Sequence, residues 1–166
     1  MIVEPATEQM LKFIVMRLRD LDRREIVAAG LPIDVLPQRA LAYSVMAFCA
    51  IDQYALPQAA WGLCPTRKGV ANGWAFGTAH WGRAIPTMVR HIRRFFIPWV
   101  LENGIHRIEC SALAHRKDVG RFLALIGAQP EAVLRQWGVN GEDFMSYRWL
   151  ADEHRAENRT AAHVSH

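Results

Sequence analysis

Lysine is scarce in this chain: of 20 basic residues only Lys12, Lys68 and Lys117 are lysines, and arginine carries the rest. An arginine fork suits phosphate and carboxylate better than an ammonium group does, but arginine and alanine richness together also follow from a GC-rich coding sequence. Against 16 acidic residues the net charge is only +4, too thin and scattered for a nucleic-acid-binding surface, so nucleic acid is an unlikely partner. Cysteine is sparse too. Cys49, Cys64 and Cys110 lie far apart, without a CxxC pair or any zinc spacing, so no metal is expected. Their apolar neighbours suggest buried thiols in a reducing compartment. No apolar run reaches the roughly 20 residues that a membrane-spanning helix needs. The opening Met-Ile-Val-Glu-Pro has neither a basic n-region nor an apolar h-region, so no signal peptide is expected. Internal repeats and low-complexity segments are lacking as well.

What is present is ordinary globular material. The chain has 166 residues, 51% hydrophobic and 22% charged. That length supports one domain that buries roughly two-thirds of its unfolded surface and needs no covalent staple. Ile2 to Pro5 reads as a short strand. Thr7 offers an N-cap, and Met10, Ile14, Leu18 and Leu21 recur at helical spacing. Asp20 can cap a second helix, Leu21 to Ala29, closed by Gly30, and Asp34 a third with Pro37 in its first turn. The period then changes. Ser44 to Ile51, Ala59 to Cys64 (stopped by Pro65) and Val70 to His80 read as an antiparallel meander, with Gly73 and Gly77 marking a bulge or close approach. Pro86 to Asn103 is the longest helical stretch, kinked or divided at Pro98. Ile105 to Leu113 is the next strand, followed by a helix around Val119, Phe122, Leu123 and Ile126. Ala132 to Trp137 and Phe144 to Leu150 form a closing hairpin. The domain is expected over residues 1–150, with a polar, mobile tail over 151–166.

The order strand, helices, meander, long helix, strand, helix, hairpin resembles that of the GNAT superfamily, the Gcn5-related acetyl-CoA-dependent N-acyltransferases. The segment Ile105-His-Arg-Ile-Glu-Cys-Ser-Ala-Leu113, then the helix ending Leu125-Ile126-Gly127-Ala128, then the hairpin, is similar to the family's closing pattern. A narrower likeness lies in Leu18-Arg19-Asp20-Leu21-Asp22-Arg23-Arg24-Glu25-Ile26, Gly30-Leu31-Pro32, Trp74-Ala75-Phe76-Gly77-Thr78 and Gly138-Val-Asn-Gly-Glu-Asp-Phe144. These resemble the GNAT-like internal virion protein A group of short-tailed phages. The resemblance implies an α+β fold: a mixed, mostly antiparallel sheet of about six to seven strands with helices on both faces. It also implies phage structural or host proteins as partners, in the host cytoplasm during infection or packaged in the virion.

Acetyl transfer needs a cradle for pyrophosphate, a base to free the amine and an acid for the departing thiolate. The family's cradle, Gln/Arg-x-x-Gly-x-Gly/Ala at a helix N-terminus, falls on Ala79-His80-Trp81-Gly82-Arg83-Ala84. Gly82 and Ala84 match, Arg83 sits where a phosphate would lie, and Ala79 replaces the polar residue. Arg90, with Arg93 and Arg94, is a candidate for the 3′-phosphate of CoA, for a partner surface, or for a plain solvated face. His80 and Glu109 are the candidate bases; His80 otherwise caps its turn, and Glu109 reads first as a strand carboxylate paired with an arginine such as Arg107 or Arg148. The family's tyrosine acid falls on Leu123, which cannot donate a proton, its asparagine near His115-Arg116, and its final aromatic on Ala128. Cys110 lacks a visible histidine–carboxylate partner and reads as a core thiol. His154, His163 and His166 lie in the polar tail without ligand spacing. The six tryptophans read mostly as core, and an exposed one would mark a binding surface. The expected protein is thus a phage-borne, virion-associated or assembly protein with a degenerate acetyl-CoA site. The alternative is an active N-acyltransferase for a protein or small-molecule amine.

Overall fold

The computed structural model describes residues 1–156. Strand β1 is Ile2–Pro5. Helix α1, Glu8–Met16, begins where Thr7 Oγ1 accepts the Met10 N–H at 3.2 Å, and it buries Leu11, Ile14 and Val15. Helix α2, Asp20–Ala28, follows. Its N-cap position is Arg19, so Asp20 is the first helical residue rather than the cap. Gly30 ends the turn at φ 73°, as a C′ glycine should. Helix α3 is Leu36–Tyr43, with Val35 rather than Asp34 at its N-cap and Pro37 in the first turn.

Strands β2 (Met46–Ile51), β3 (Pro57–Arg67) and β4 (Val70–Gly77) form the expected meander. Pro65 does not stop β3. Beyond Leu63 that strand pairs only with β4, and a bulge between Pro65 and Arg67 absorbs the missing donor. Helix α4 runs Trp81–His91, a π-helical turn occupies Ile92–Phe96, and α5 is Ile97–Glu102. The helix therefore starts five residues before Pro86. Thr78 sets that start: its Oγ1 accepts the His80 N–H at 3.1 Å, and its carbonyl accepts the Trp81 N–H at 3.0 Å. Burial of Trp81, Ala84 and Met88 at i, i+3 and i+7 holds it. Pro98 divides the stretch as expected, with the π turn just before it.

Strand β5 is Arg107–Leu113, α6 is Lys117–Leu125, and the hairpin is β6 (Gln129–Leu134) with β7 (Phe144–Leu150). The first hairpin strand thus lies three residues earlier than Ala132–Trp137. Trp137 instead turns back onto the Phe144 ring, 4.7 Å between centroids. Residues 151–156 are helical where a polar tail is expected. Ala151 is buried, its N–H reaches the His106 carbonyl at 3.0 Å, and Glu153 pairs with Arg148. The rest of that tail, with His163 and His166, lies outside the described residues.

The seven strands form one sheet in the order β1-β2-β3-β4-β5-β7-β6, antiparallel except between β4 and β5. One face carries α1 to α3 over Leu11, Ile14, Leu18, Ala60 and Phe76. The opposite face carries α4 to α6 over Trp61, Met88, Phe96, Phe122 and Trp149.

Candidate functional site

The site is a defect in the sheet. Parallel β4 and β5 pair only from Val70↔Arg107 to Asn72↔Glu109, yet both strands run on, to Gly77 and Leu113. Between them opens a cavity of about 420 Å³ that crosses the sheet. Ala75 and Ser111, on its two lips, are exposed in the middle of the sheet, although the residues that follow them, Phe76 and Ala112, are buried. Toward α4 and α6 the walls are aromatic and aliphatic: Trp61, Trp81, Phe96, Phe122, Leu123 and Trp149.

The mouth of this slot is filled by the α1–α2 connection. Thr78 N–H bonds to Gln58 of β3 at 2.9 Å, so by strand alternation the Gly77 N–H and C=O face the slot. Both are occupied. Gly77 N–H donates to Asp22 Oδ2 at 2.8 Å, and its carbonyl accepts the Arg19 N–H at 3.1 Å. On the other lip, Leu113 N–H donates to Glu25 Oε2 at 2.9 Å. Leu18 even bridges Thr78 as a single antiparallel residue pair. A side chain on Gly77 would strike the Trp81 ring and the Gln58 carbonyl, so the close packing here requires glycine.

Two arginines bind the carboxylates together. Arg116, with its side chain only 1% exposed, reaches Asp22 at 2.9 Å, Glu25 at 3.3 Å and Asp118 at 2.6 Å. Arg19 holds Asp22 at 2.8 Å and Asp118 at 3.1 Å while lying 4.5 Å over the Trp81 ring. Burial raises the Glu25 carboxyl pKa, and the Arg116 charge only partly offsets it. Asp118 is also penalised by burial, but its hydrogen bond to Arg116 and the charges of both arginines outweigh that, and its pKa is lowered. With three carboxylates to two guanidiniums, the mouth offers no spare positive charge.

Most residues singled out from the sequence stand away from the slot. Gly82 and Arg83 are exposed on the first turn of α4, Ala84 is fully buried in the core, and Arg90, Arg93 and Arg94 are exposed along the helix. None of them lines the cavity. Two of the N-terminal donors of α4 are already used, Trp81 N–H by Thr78 and Arg83 N–H by the His80 carbonyl. His80 is exposed at the N-cap, close enough to Asp52 to help lower that carboxyl, which the Leu56 N–H lowers most. Glu109 forms the ion pair expected of it, to Arg107 at 2.6 Å, with Arg67 at 3.6 Å, and is no part of the cavity lining. Cys110 does line the cavity, but burial pushes its thiol up to about 12, far from a working nucleophile. Trp137 is the tryptophan left half exposed.

Sequence reasoning missed Asp22, Glu25 and Arg116. One trace was available: Asp22 and Glu25 stand at i and i+3, with Arg19 three residues earlier, so the three share a helix face. Arg116 comes more than 90 residues later, and only the fold brings it there.

No family model and no curated protein matches the chain. Solved structures do. A phosphinothricin acetyltransferase of the GNAT superfamily from Sinorhizobium meliloti, in complex with acetyl-CoA, superposes with TM-score 0.66 at 9% identity, over 90% of this chain and 87% of that one. A GCN5-related N-acetyltransferase from Kribbella flavida gives 0.64 at 14% identity, over 90% and 96%. A ribosomal-protein-alanine N-acetyltransferase from Brucella melitensis gives 0.64 at 11% identity, over 90% and 99%. Identities this low speak for architecture alone: the chain has the GNAT fold, an α+β mixed sheet splayed between its two parallel strands.

Proposed function

We propose that this chain is a GNAT-fold protein that does not carry out ordinary acetyl transfer and serves as a phage-borne accessory protein, associated with the virion or its assembly. The observation that carries the loss of activity is the occupancy of Gly77: both its backbone groups at the mouth of the splay are taken by Arg19 and Asp22 of the same chain. A pyrophosphate arriving there would meet three carboxylates whose arginine partners are already engaged. Leu123 and Ala128 add to this, since neither can protonate a leaving thiolate and both wall the cavity with hydrocarbon. The virion role is supported by the likeness of residues 18–32, 74–78 and 138–144 to internal virion proteins.

The persisting slot favours a second reading, an active N-acyltransferase for a protein or small-molecule amine; His80, Glu109, Gly82, Arg83, Ala84 and Arg90, its site residues from the sequence, stand outside the cavity lining, so such activity would draw on other groups. One titration separates the two. A ligand that binds only the native state raises its melting temperature by mass action. We expect no shift and no calorimetric heat at millimolar acetyl-CoA. A saturable heat overturns the first reading and restores the second. For the accessory role, the protein should co-sediment with phage particles from infected cells. Recovery only as free protein from the lysate rejects it.

A further inference from the structure

Three residues that line the slot carry a buried nitrogen without a hydrogen-bond partner among the described residues: Arg19, through Nε at the mouth, and two tryptophans further in. Trp61 is 2% exposed and Trp149 is 4% exposed, both line the cavity, and neither indole Nε1 has a hydrogen-bond partner among the described residues. They stand on either side of the splay. Trp61 on β3 is the register partner of Ala75 on the β4 lip, and Trp149 on β7 is the register partner of Ile108, at the paired base of β5. One indole donor therefore stands a strand behind β4 and the other a strand behind β5, on the same face of the sheet. A buried N–H left without an acceptor is costly, so such groups are normally paired or mark a place for something else.

The rest of the cavity says what that something is. Its walls are hydrocarbon and aromatic, and its volume of about 420 Å³ lies within the range of small-molecule sites. The charged groups at its mouth are ion-paired with one another, with carboxylates in excess, although Arg19 Nε itself lacks a hydrogen bond. An ionised or phosphorylated ligand would lose its hydration there and gain no free counter-charge. We infer that the splay between β4 and β5 is a binding site for a neutral, largely apolar small molecule whose carbonyl-type acceptors take the Trp61 and Trp149 indole N–H groups. The inference rests on the reading that a phosphate-bearing thioester is not the ligand, and the test below separates the two.

The probe is decanoylglycine N-methylamide, an uncharged chain with two amide carbonyls, titrated against the whole protein labelled with ¹⁵N. The indole resonances are assigned with Trp61→Phe and Trp149→Phe. The expected result is a saturable shift of the Trp61 and Trp149 Nε1–H signals, while that of Trp99, which is no part of the cavity lining, stays in place. Losing one donor should weaken binding roughly three- to tenfold, the usual worth of one hydrogen bond. Ala75→Leu, which fills the lip beside the Trp61 ring and keeps both indoles, should abolish the shifts in a protein that still melts cooperatively. It keeps the test decisive if a tryptophan variant fails to fold. No saturable shift with the probe, equal movement of all indoles, or unchanged binding in Ala75→Leu overturns the inference. Acetyl-CoA is run in parallel: if it moves the two indoles and the neutral probe does not, the inference falls and the accessory reading falls with it. If neither ligand moves them, the inference alone falls.

Discussion

The mouth of the splay and its interior are built on opposite terms. At the mouth every charged group has a partner within the chain, and Arg116 alone joins Asp22, Glu25 and Asp118. A few ångströms further in, the walls are apolar and two indole donors have nothing to bind. The contrast teaches that the space of the slot and its chemistry are set separately. The opening between β4 and β5 follows from backbone geometry, whereas what it admits follows from a few side chains at its rim.

The sharpest way to break the contrast is to remove the charge that holds the mouth. Arg116→Met takes the cationic partner from Glu25 and leaves Asp22 and Asp118 to Arg19 alone, and should cost about 3 kcal/mol, the lower end of the usual penalty for breaking a buried ion pair from one side. Urea denaturation followed by circular dichroism reads this, and a loss below about 1 kcal/mol would mean that the cluster is solvated. The next effect compares two alanines. Ala60 is fully buried on the α1–α3 face, and Ala60→Leu should overpack it at a cost of about 1–3 kcal/mol. Ala75→Leu points into the slot and should fall within about 0.5 kcal/mol of the parent protein, as exposed substitutions usually do. Equal costs would show that the slot is closed in solution.

The third prediction concerns pH. A raised folded-state pKa at Glu25 means that the folded protein holds its proton more tightly than the unfolded chain does. Its contribution is therefore fully present below the unfolded carboxyl value and is lost as pH rises through the folded one. Glu25→Gln retains an acceptor for the Leu113 N–H and removes that titration. The variant should gain stability relative to the parent as pH rises from the acid range toward neutrality. Asp118, with a lowered pKa, works in the opposite sense: its stabilisation is present above its unfolded value and fades as pH falls, so Asp118→Asn should lose most near neutrality. The smallest effect belongs to the exposed strand pair. Arg67→Ala removes a contact to Glu109 at 3.6 Å from a side chain that is 64% exposed, and should change stability by less than about 0.5 kcal/mol.

Much of the fold was legible because its determinants are local. Thr7 caps α1 through its own neighbours, Gly30 closes α2 by its positive φ, and the pair Arg107–Glu109 needs only the two-residue period of a strand. Boundaries failed where a distant surface overruled the local cue. Pro86 looks like a helix start until burial of Trp81 extends α4 backward. Pro65 looks like a strand stop until β3 has only one neighbour there. Leu123 and Ala128, which the resemblance sets opposite the family's tyrosine and aromatic, were equally legible, since each is a statement about one residue.

The sequence by itself therefore determined the element order and the GNAT-like class. Only the tertiary structure decided that Asp22, Glu25 and Arg116 meet at the mouth of the splay, and that Trp61 and Trp149 face its interior. The physical reason is range. Caps, turns and periodic faces are settled within a few residues, whereas an ion cluster joining positions 22 and 116 exists only once the helices and the sheet have packed.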